Sequence, residues 1–263
     1  MLEVLRRVAS GELSPEEAVG ELRGEGVERL GEVAVLDLAR RARTGIPEVV
    51  LAGPKHADEV VEIAAALLER TGSVCVSRMR PRQRRAVEAL AAERGARLVA
   101  FGRRSCRLLA PGGADPPPRG LVGLLAAGTS DLEPLAEARM VCEAAGAGTT
   151  SAVDVGVAGL ERLFAPLAAM LAAGADALVV AAGMDGALAS VVAGLAGVPV
   201  IGLPVSTGYG AGGRGRAALL SMLQGCAPGL VVVNVDNGVG AGAAAALIAL
   251  RRPAGWAEVP PGR

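Results

Sequence analysis

The sequence predicts an α/β protein in which a three-layer αβα parallel-sheet domain follows a smaller α/β domain. Three observations lead to that expectation. In the second half, apolar runs of strand length alternate five times with helical patterns, as expected of parallel strands covered on both faces by crossover helices. Each run empties into a glycine-rich or polar turn, the connection that forms ligand sites at the carboxyl ends of parallel strands. A stretch rich in proline and glycine separates this half from a shorter alternation before it.

Residues 2–30 read as a helical preface. Ser14-Pro15-Glu16-Glu17 supplies an N-cap, a proline at the first helical position and a glutamate that closes a capping box. Asp37 to Glu48 is a charged segment ending in a turn. The apolar run 49–51 follows, then a helical period over 56–70 closed by Gly72, a strand over 73–77, a helix over 82–94 ending at Gly95, and a strand over 97–101. Residues 1–110 are therefore assigned to the first domain. Residues 111–120 contain three consecutive prolines, which continue neither a helix nor a ladder, and read as a semi-rigid linker.

Residues 121–252 are assigned to the second domain and 253–263 to a tail. The expected strands are 121–127, 152–157, 177–182, 198–203 and 230–235. The expected helices are 131–145, 160–172, 186–196, 214–224 and 238–251.

Composition narrows the function. The 27 basic residues match the 27 acidic ones, which argues against a nucleic-acid binder relying on phosphate neutralisation. Apolar stretches are interrupted well short of a membrane span, and charges recur too often in the first residues for a secretory leader, so a cytoplasmic protein is expected. Four cysteines without paired spacing indicate neither a zinc site nor a disulfide framework. With His56 the sole histidine, acid–base work falls to Asp, Glu, Cys, Lys or Tyr. Lys55 is the only lysine, Tyr209 the only tyrosine, and Asn234 and Asn237 the only asparagines.

Several turns are candidates for chemistry. In Gly128-Thr129-Ser130-Asp131 the glycine admits a ligand close to the backbone, and hydroxyl and N–H groups suit an anion; the competing reading is that Ser130 or Asp131 caps a helix. Asp154 and Gly156, and then Gly183, Met184 and Asp185, stand in the next two turns. The stretch Ser206-Thr207-Gly208-Tyr209-Gly210-Ala211-Gly212-Gly213-Arg214-Gly215 has five glycines and is costly to order, as expected of a loop that wraps or covers a ligand. Arg214 and Arg216 suit phosphate or carboxylate. Asn234 and Asn237 suit a nucleotide hydroxyl or ordinary turn chemistry.

The cysteines differ in context. Cys75 within a strand and Cys142 on a helix read as buried small residues, while Cys106 lies in an arginine-rich segment. Cys226 stands in the polar turn Gln224-Gly225-Cys226-Ala227-Pro228-Gly229 after a helix. A helix C-terminus raises a thiol's pKa, so activation there requires a cation.

These turns, in this order, resemble the LarB family. The landmarks are Ala127-Gly128-Thr129-Ser130-Asp131, Asp154-Val155-Gly156-Val157-Ala158-Gly159, Ala182-Gly183-Met184-Asp185-Gly186-Ala187-Leu188, Leu220-Ser221-Met222-Leu223-Gln224-Gly225-Cys226 and Asn234-Val235-Asp236-Asn237-Gly238. Asp37 to Val49 and Lys55 extend the resemblance into the first domain. The second domain is also similar to the class I aminoimidazole ribonucleotide carboxylases (PurE), which implies a PurE-like, flavodoxin-like fold and a homo-oligomer, with the PurE octamer as precedent. The PurE histidines are missing from the matching segments around Asp154 and Asp185.

The resemblance implies carboxylation of the pyridinium ring of nicotinic acid adenine dinucleotide with CO2 as co-substrate, and phosphoanhydride cleavage releasing AMP, with Mg²⁺ on the phosphates. It gives Cys226 the role of nucleophile and Asp185 that of general acid/base or orienting group. Glutamate is usual at the latter position, and aspartate is one methylene shorter, so its carboxylate approaches differently or acts through water. It also implies ligand contacts for Thr129, Ser130 and Asp131, closure of the 206–216 loop over the dinucleotide, and contributions from Lys55, Arg40, Arg43 and Glu48 within the same subunit or a neighbour. Two rivals stand beside this reading, an aminoimidazole ribonucleotide carboxylase or mutase and a non-catalytic nucleotide-binding subunit. An ordered Cys226 close to Asp185 in one pocket favours the enzyme, and a core-buried Cys226 the binding subunit.

Overall fold

The computed structural model describes residues 2–24, 26–115 and 117–251, so the expected tail and Pro116 of the expected linker lie outside the described residues. The chain forms two compact units. One is built from the chain up to Val99 with Arg107–Gly113, the other from Ala100–Cys106 and the chain from Ala114 onward. The described residues of 111–120 form neither helix nor strand.

The first unit opens with α1 (Leu2–Ala9) and α2 (Pro15–Gly24). The capping box at the head of α2 forms in both directions: the Glu17 amide donates to Ser14 Oγ at 3.2 Å and the Ser14 amide to Glu17 Oε2 at 2.9 Å. The helical preface stops short of the expected residue 30. Residues β1 (Val27–Leu30) and β2 (Ala34–Asp37) instead form an antiparallel hairpin, with Leu30 opposite Ala34. Its three-residue loop turns on Gly31 at φ 51°, without the two-residue signal that marks most hairpins. The elements α3 (Arg40–Thr44), β3 (Val49–Leu51), α4 (Ala57–Thr71), β4 (Ser73–Ser77), α5 (Pro81–Glu93), β5 (Arg97–Phe101) and β6 (Ser105–Leu109) follow, with the end of β5 and the start of β6 falling in the Ala100–Cys106 segment grouped with the second unit. Strand order in the four-stranded sheet is β3-β4-β6-β5. The unexpected β6 is an interior strand buried along its whole length, and its central Arg107 breaks the apolar pattern that would have marked it.

The second unit contains β7 (Leu121–Ala126), α6 (Leu132–Ala145), β8 (Gly148–Val153), α7 (Glu161–Ala172), β9 (Ala177–Ala182), α8 (Ala187–Leu195), β10 (Val200–Pro204), α9 (Arg216–Gln224), β11 (Leu230–Val232) and α10 (Gly238–Leu250). Its five strands are all parallel, in the order β11-β10-β9-β7-β8. Read in chain order from the other edge this is 2-1-3-4-5, the flavodoxin-like arrangement. Strands β9 and β10 are buried throughout, as their unbroken apolar sequence demands.

Strand β8 runs four residues ahead of the expected 152–157. It is an edge strand of threonine, serine and alanine with partial exposure, so its sequence lacks a continuous apolar run. Helices cover both faces. On one, α6 packs against α10, and glycines 238 and 242 leave no room for a Cβ beside the Pro134 and Ala138 carbonyls. On the other, Leu163, Leu167 and Met170 of α7, Leu188 and Val192 of α8 and Met222 of α9 share a core with Leu125, Leu178 and Val180 of the sheet. Each leucine fully buried there contributes about 1.5–3 kcal/mol of transfer free energy.

Candidate active site

Strand order reverses between β7 and β9, and loops leaving the carboxyl ends of β7, β8, β9 and β10 surround a cleft of about 360 Å³ at that point. Its lining includes Gly128, Ser130, Asp131, Asp154, Gly156, Arg162, Gly183, Met184, Asp185 and Thr207. Ligands of open parallel sheets bind at this switch point because adjacent loops diverge to opposite faces and leave a crevice.

Close approach of the loops depends on two glycines. A Cβ at Gly183 would overlap the carbonyl oxygen of Thr207 and stand 3.2 Å from Asp131 Oδ1. A Cβ at Gly156 would stand 2.7 Å from the carbonyl oxygen of Ala127. Hydrogen bonds join the same loops: Met184 N–H donates to the Thr207 carbonyl at 3.1 Å, and Thr207 Oγ1 to the Ser130 carbonyl at 3.3 Å.

Asp131 is the central acid. Its Oδ2 accepts the Gly128 amide at 2.9 Å, and its residue is 4% exposed. Its Oδ1 is buried against Gly183, whose amide acts on it at the limit of hydrogen-bonding geometry. Burial pushes the carboxyl above the ordinary aspartate range and the nearby charge of Asp236 adds to this, against the lowering effect of the Gly128 and Gly183 amides. A buried carboxyl titrating above the ordinary range can exchange a proton with a ligand. Asp185 is exposed, and its Oδ1 accepts the Ala187 amide at 3.3 Å. Asp154 pairs with Arg162 at 2.5 Å, and Asp236 Oδ1 accepts the Ser206 amide at 2.8 Å.

Asp154, Met184, Arg214 and Asp236 all have positive φ, between 53° and 62°. All four follow carboxyl ends of strands in this one sheet. Aspartate tolerates that conformation better than methionine or arginine, and such strain concentrates where function over-determines the backbone.

Other expected residues fall outside the cleft lining. Thr129 begins the short 3₁₀ turn Thr129–Asp131. Ser206, Gly208, Tyr209, Gly210 and Arg214 are exposed along the loop after β10, with Tyr209 82% exposed. Asn234 Oδ1 accepts the Val235 amide at 2.8 Å, and Asn237 caps α10 by accepting the Gly240 amide at 2.9 Å. Turn chemistry thus occupies both asparagine carbonyls. In the first unit, Arg40 pairs with Glu48 at 3.2 Å and Arg43 with Asp37 at 2.6 Å, so ordinary surface ion pairs engage both. Lys55 lines a separate cleft of about 210 Å³ with Glu48, Leu36 and Ile63.

Cys226 is the one exposed cysteine; Cys75, Cys106 and Cys142 are buried, and burial pushes the Cys142 thiol up to about 12. Cys226 is not among the residues lining the cleft that holds Asp185. Asp185 follows the carboxyl end of β9, whereas Cys226 lies between the C-terminus of α9 and the start of β11, at the amino ends of the strands. Two residues of this edge escaped sequence reasoning. Among the described residues Arg162 is the only cation lining the cleft, and Asp236 holds the root of the loop after β10 while acting on Asp131. Nothing in local sequence sets either apart from a surface charge.

Among the described residues, no three His, Cys, Asp or Glu side chains converge to hold a metal ion. No helix among those residues is long and apolar enough to cross a membrane.

The flavodoxin-like parallel sheet with an acidic cleft at its switch point marks a ligand-binding α/β domain, and its class is that of the AIR carboxylases, since residues 121–259 match the family model described as AIR carboxylase. Residues 27–101 match the LarB/PurE-like N-terminal domain. The chain belongs to the LarB family, with a PurE-like second domain, and is a carboxylase-type enzyme. It is similar to an uncharacterised protein of Methanocaldococcus jannaschii, 35% identical over 248 residues, covering 94% of this chain and 96% of the relative.

Proposed function

We propose that the protein carboxylates C5 of the pyridinium ring of nicotinic acid adenine dinucleotide and cleaves the phosphoanhydride to release AMP, giving pyridinium-3,5-biscarboxylic acid mononucleotide. The observation that carries this reading is the carboxylate-lined cleft around Asp131. Asp131, Asp154 and Asp185 line it, no histidine does, and burial raises the Asp131 carboxyl above the ordinary aspartate range. Such a site suits a cationic aromatic ring. It also lacks the imidazole that aminoimidazole chemistry uses, and the chain's only histidine, His56, lies in the other unit.

A pyridinium ring is electron-poor and does not attack CO2. The Cys226 thiolate adds to C4, its electron pair forming the S–C bond while the ring nitrogen loses its positive charge. The resulting enamine is nucleophilic at C5, which forms a C–C bond to CO2 and leaves an iminium. A carboxylate, Asp131 or Asp185, takes the C5 proton and restores the enamine. Expulsion of the thiolate from C4 then restores the aromatic cation. The sequence is redox-neutral, and it divides one inaccessible step into feasible ones. The ring's charge also favours the attacking thiolate, offsetting the helix C-terminus before it. Arg162 at the cleft wall is positioned for the ring carboxylate or a phosphate. The loop after β10, tied down at Thr207, is placed to exclude water from the adduct.

The test is incubation with nicotinic acid adenine dinucleotide, bicarbonate and Mg²⁺ followed by mass spectrometry. The expected products are AMP and a mononucleotide heavier by one carboxylate, with neither from Cys226→Ser. Full activity of that variant would remove the nucleophile, and turnover of aminoimidazole ribonucleotide instead would replace the substrate.

A further inference from the structure

Met184 differs from the other described methionines. Met79, Met140, Met170 and Met222 are core residues, none more than 3% exposed, whereas Met184 is 50% exposed on the loop that leaves β9. Its φ is 53°, which makes it the one apolar side chain among the described non-glycine residues with a left-handed backbone. A bulky side chain in that conformation is strained, and glycine or asparagine would hold the same turn at lower cost.

The turn itself does not use the methionine side chain. The Met184 N–H donates to the Thr207 carbonyl at 3.1 Å, and the Gly186 amide donates to the Gly183 carbonyl at 2.9 Å. Met184 lines the cleft at the switch point, in sequence between Gly183 and Asp185, which line it too. Its sulfur lies beside the glycine-rich loop after β10: a Cβ built at Gly208 would stand 3.6 Å from Met184 Sδ, in ordinary contact. A half-exposed side chain adds little packing to the fold, and its backbone is strained. Cover by a ligand removes the exposure and gives the strained position its use.

The chemistry of the side chain narrows the ligand. A thioether carries lone pairs and polarisable density, and its contacts with aromatic rings are favourable. Against an electron-poor ring that contact is also complementary in charge. Among the described lining residues no aromatic side chain is present to stack on a ring, and the carboxylates of Asp154 and Asp185 favour a cation. We propose that Met184 is a specificity-determining residue: its thioether covers one face of a cationic, electron-poor aromatic ring bound in the cleft and selects that ring over a neutral one. The inference deepens the pyridinium reading of the cleft and rests on it.

Methyl NMR tests the contact without turnover. The full chain is labelled with methyl-¹³C methionine, and the Met184 signal is identified as the one missing from Met184→Leu. The wild type is titrated, without bicarbonate, with nicotinic acid mononucleotide, with aminoimidazole ribonucleotide, whose ring is neutral, and with ribose 5-phosphate, which has none. The expected result is a saturable upfield shift of the Met184 methyl with nicotinic acid mononucleotide and no shift with ribose 5-phosphate. A stationary methyl at saturating mononucleotide overturns the proposal. So does an equal shift at equal concentrations of aminoimidazole ribonucleotide, or failure of the mononucleotide to bind by calorimetry.

Met184→Gly gives a second readout. Glycine accepts φ 53° and keeps the backbone N–H that donates to Thr207. The melting temperature should hold or rise, while the Kd for nicotinic acid mononucleotide rises about three- to tenfold. An unchanged Kd, or a rise accompanied by a lower melting temperature or a smaller assembly in solution, marks a structural residue and overturns the proposal. Wild-type activity is read separately on nicotinic acid adenine dinucleotide. A moving methyl without carboxylated product sinks the carboxylation reading and leaves the ring contact standing, and product with a stationary methyl does the reverse.

Discussion

The hydroxyl of Thr207 donates to the carbonyl of Ser130 at 3.3 Å, joining loops separated by 77 residues in the chain. It ties the glycine-rich loop after β10 to the turn after β7 at the rim of the cleft. Thr207→Val keeps the shape and removes the donor. A single hydrogen bond of this kind contributes about 0.5–1.5 kcal/mol. The expected outcome is a KM for the dinucleotide raised by up to about tenfold with a small change in melting temperature, measured by steady-state kinetics and thermal unfolding.

Gly183→Ala tests whether that loop needs its present height. The added methyl would collide with the Thr207 carbonyl, which is backbone and has no rotamer to change. Overpacking of this kind costs about 1–3 kcal/mol. A lowered denaturation midpoint together with a larger loss in kcat/KM is expected; an unchanged kcat/KM would show that the two loops act independently.

Asp131 gives a pH signature. Its folded carboxyl titrates above the ordinary range, chiefly because it is buried and secondarily because Asp236 is near. Its stabilising contribution is therefore full below the unfolded pKa, about 3.9, and is lost as pH rises through the folded value. Asp131→Asn avoids ionisation and still offers Gly128 an acceptor. The variant is expected to melt above the wild type at pH 7, with the difference closing as pH falls toward 4, and to lose carboxylation. A variant destabilised equally at both pH values would contradict this account of the carboxyl.

Arg162→Met separates binding from folding. Its partner Asp154 is more than half exposed, and surface pairs of this kind contribute about 0–1 kcal/mol. Melting temperature should hardly move. As the only cation of the cleft lining among the described residues, Arg162 is expected to bind an anionic part of the substrate, so the dinucleotide's Kd should rise at least tenfold by titration calorimetry.

Buried strands such as β9 and β10 were legible because a parallel strand covered on both faces must be apolar at every position. The turn motifs placed Asp131, Gly156, Gly183 and Asp185 at the right edge of the sheet for the same topological reason. Edge strand β8 was displaced, since threonine and serine satisfy a half-exposed ladder without an apolar run, and β6 was hidden by Arg107 inside it. Cys226 shows the limit most clearly. Sequence distinguished it as the least core-like cysteine, and it is the exposed one, but the end of the sheet on which a turn falls depends on strand direction, which no single turn motif encodes. Arg162 reaches the cleft only through the fold, because a surface arginine and a cleft arginine are the same letter.

The most direct measurement follows ¹³C-bicarbonate and a C5-deuterated nicotinic acid adenine dinucleotide through one turnover by NMR and mass spectrometry. The account predicts one labelled carboxyl on the ring, complete loss of the C5 deuterium, and a transient mass on Cys226 equal to that of the bound pyridine nucleotide. Labelled product formed at the wild-type rate by Cys226→Ser, or product that keeps its deuterium, would contradict it.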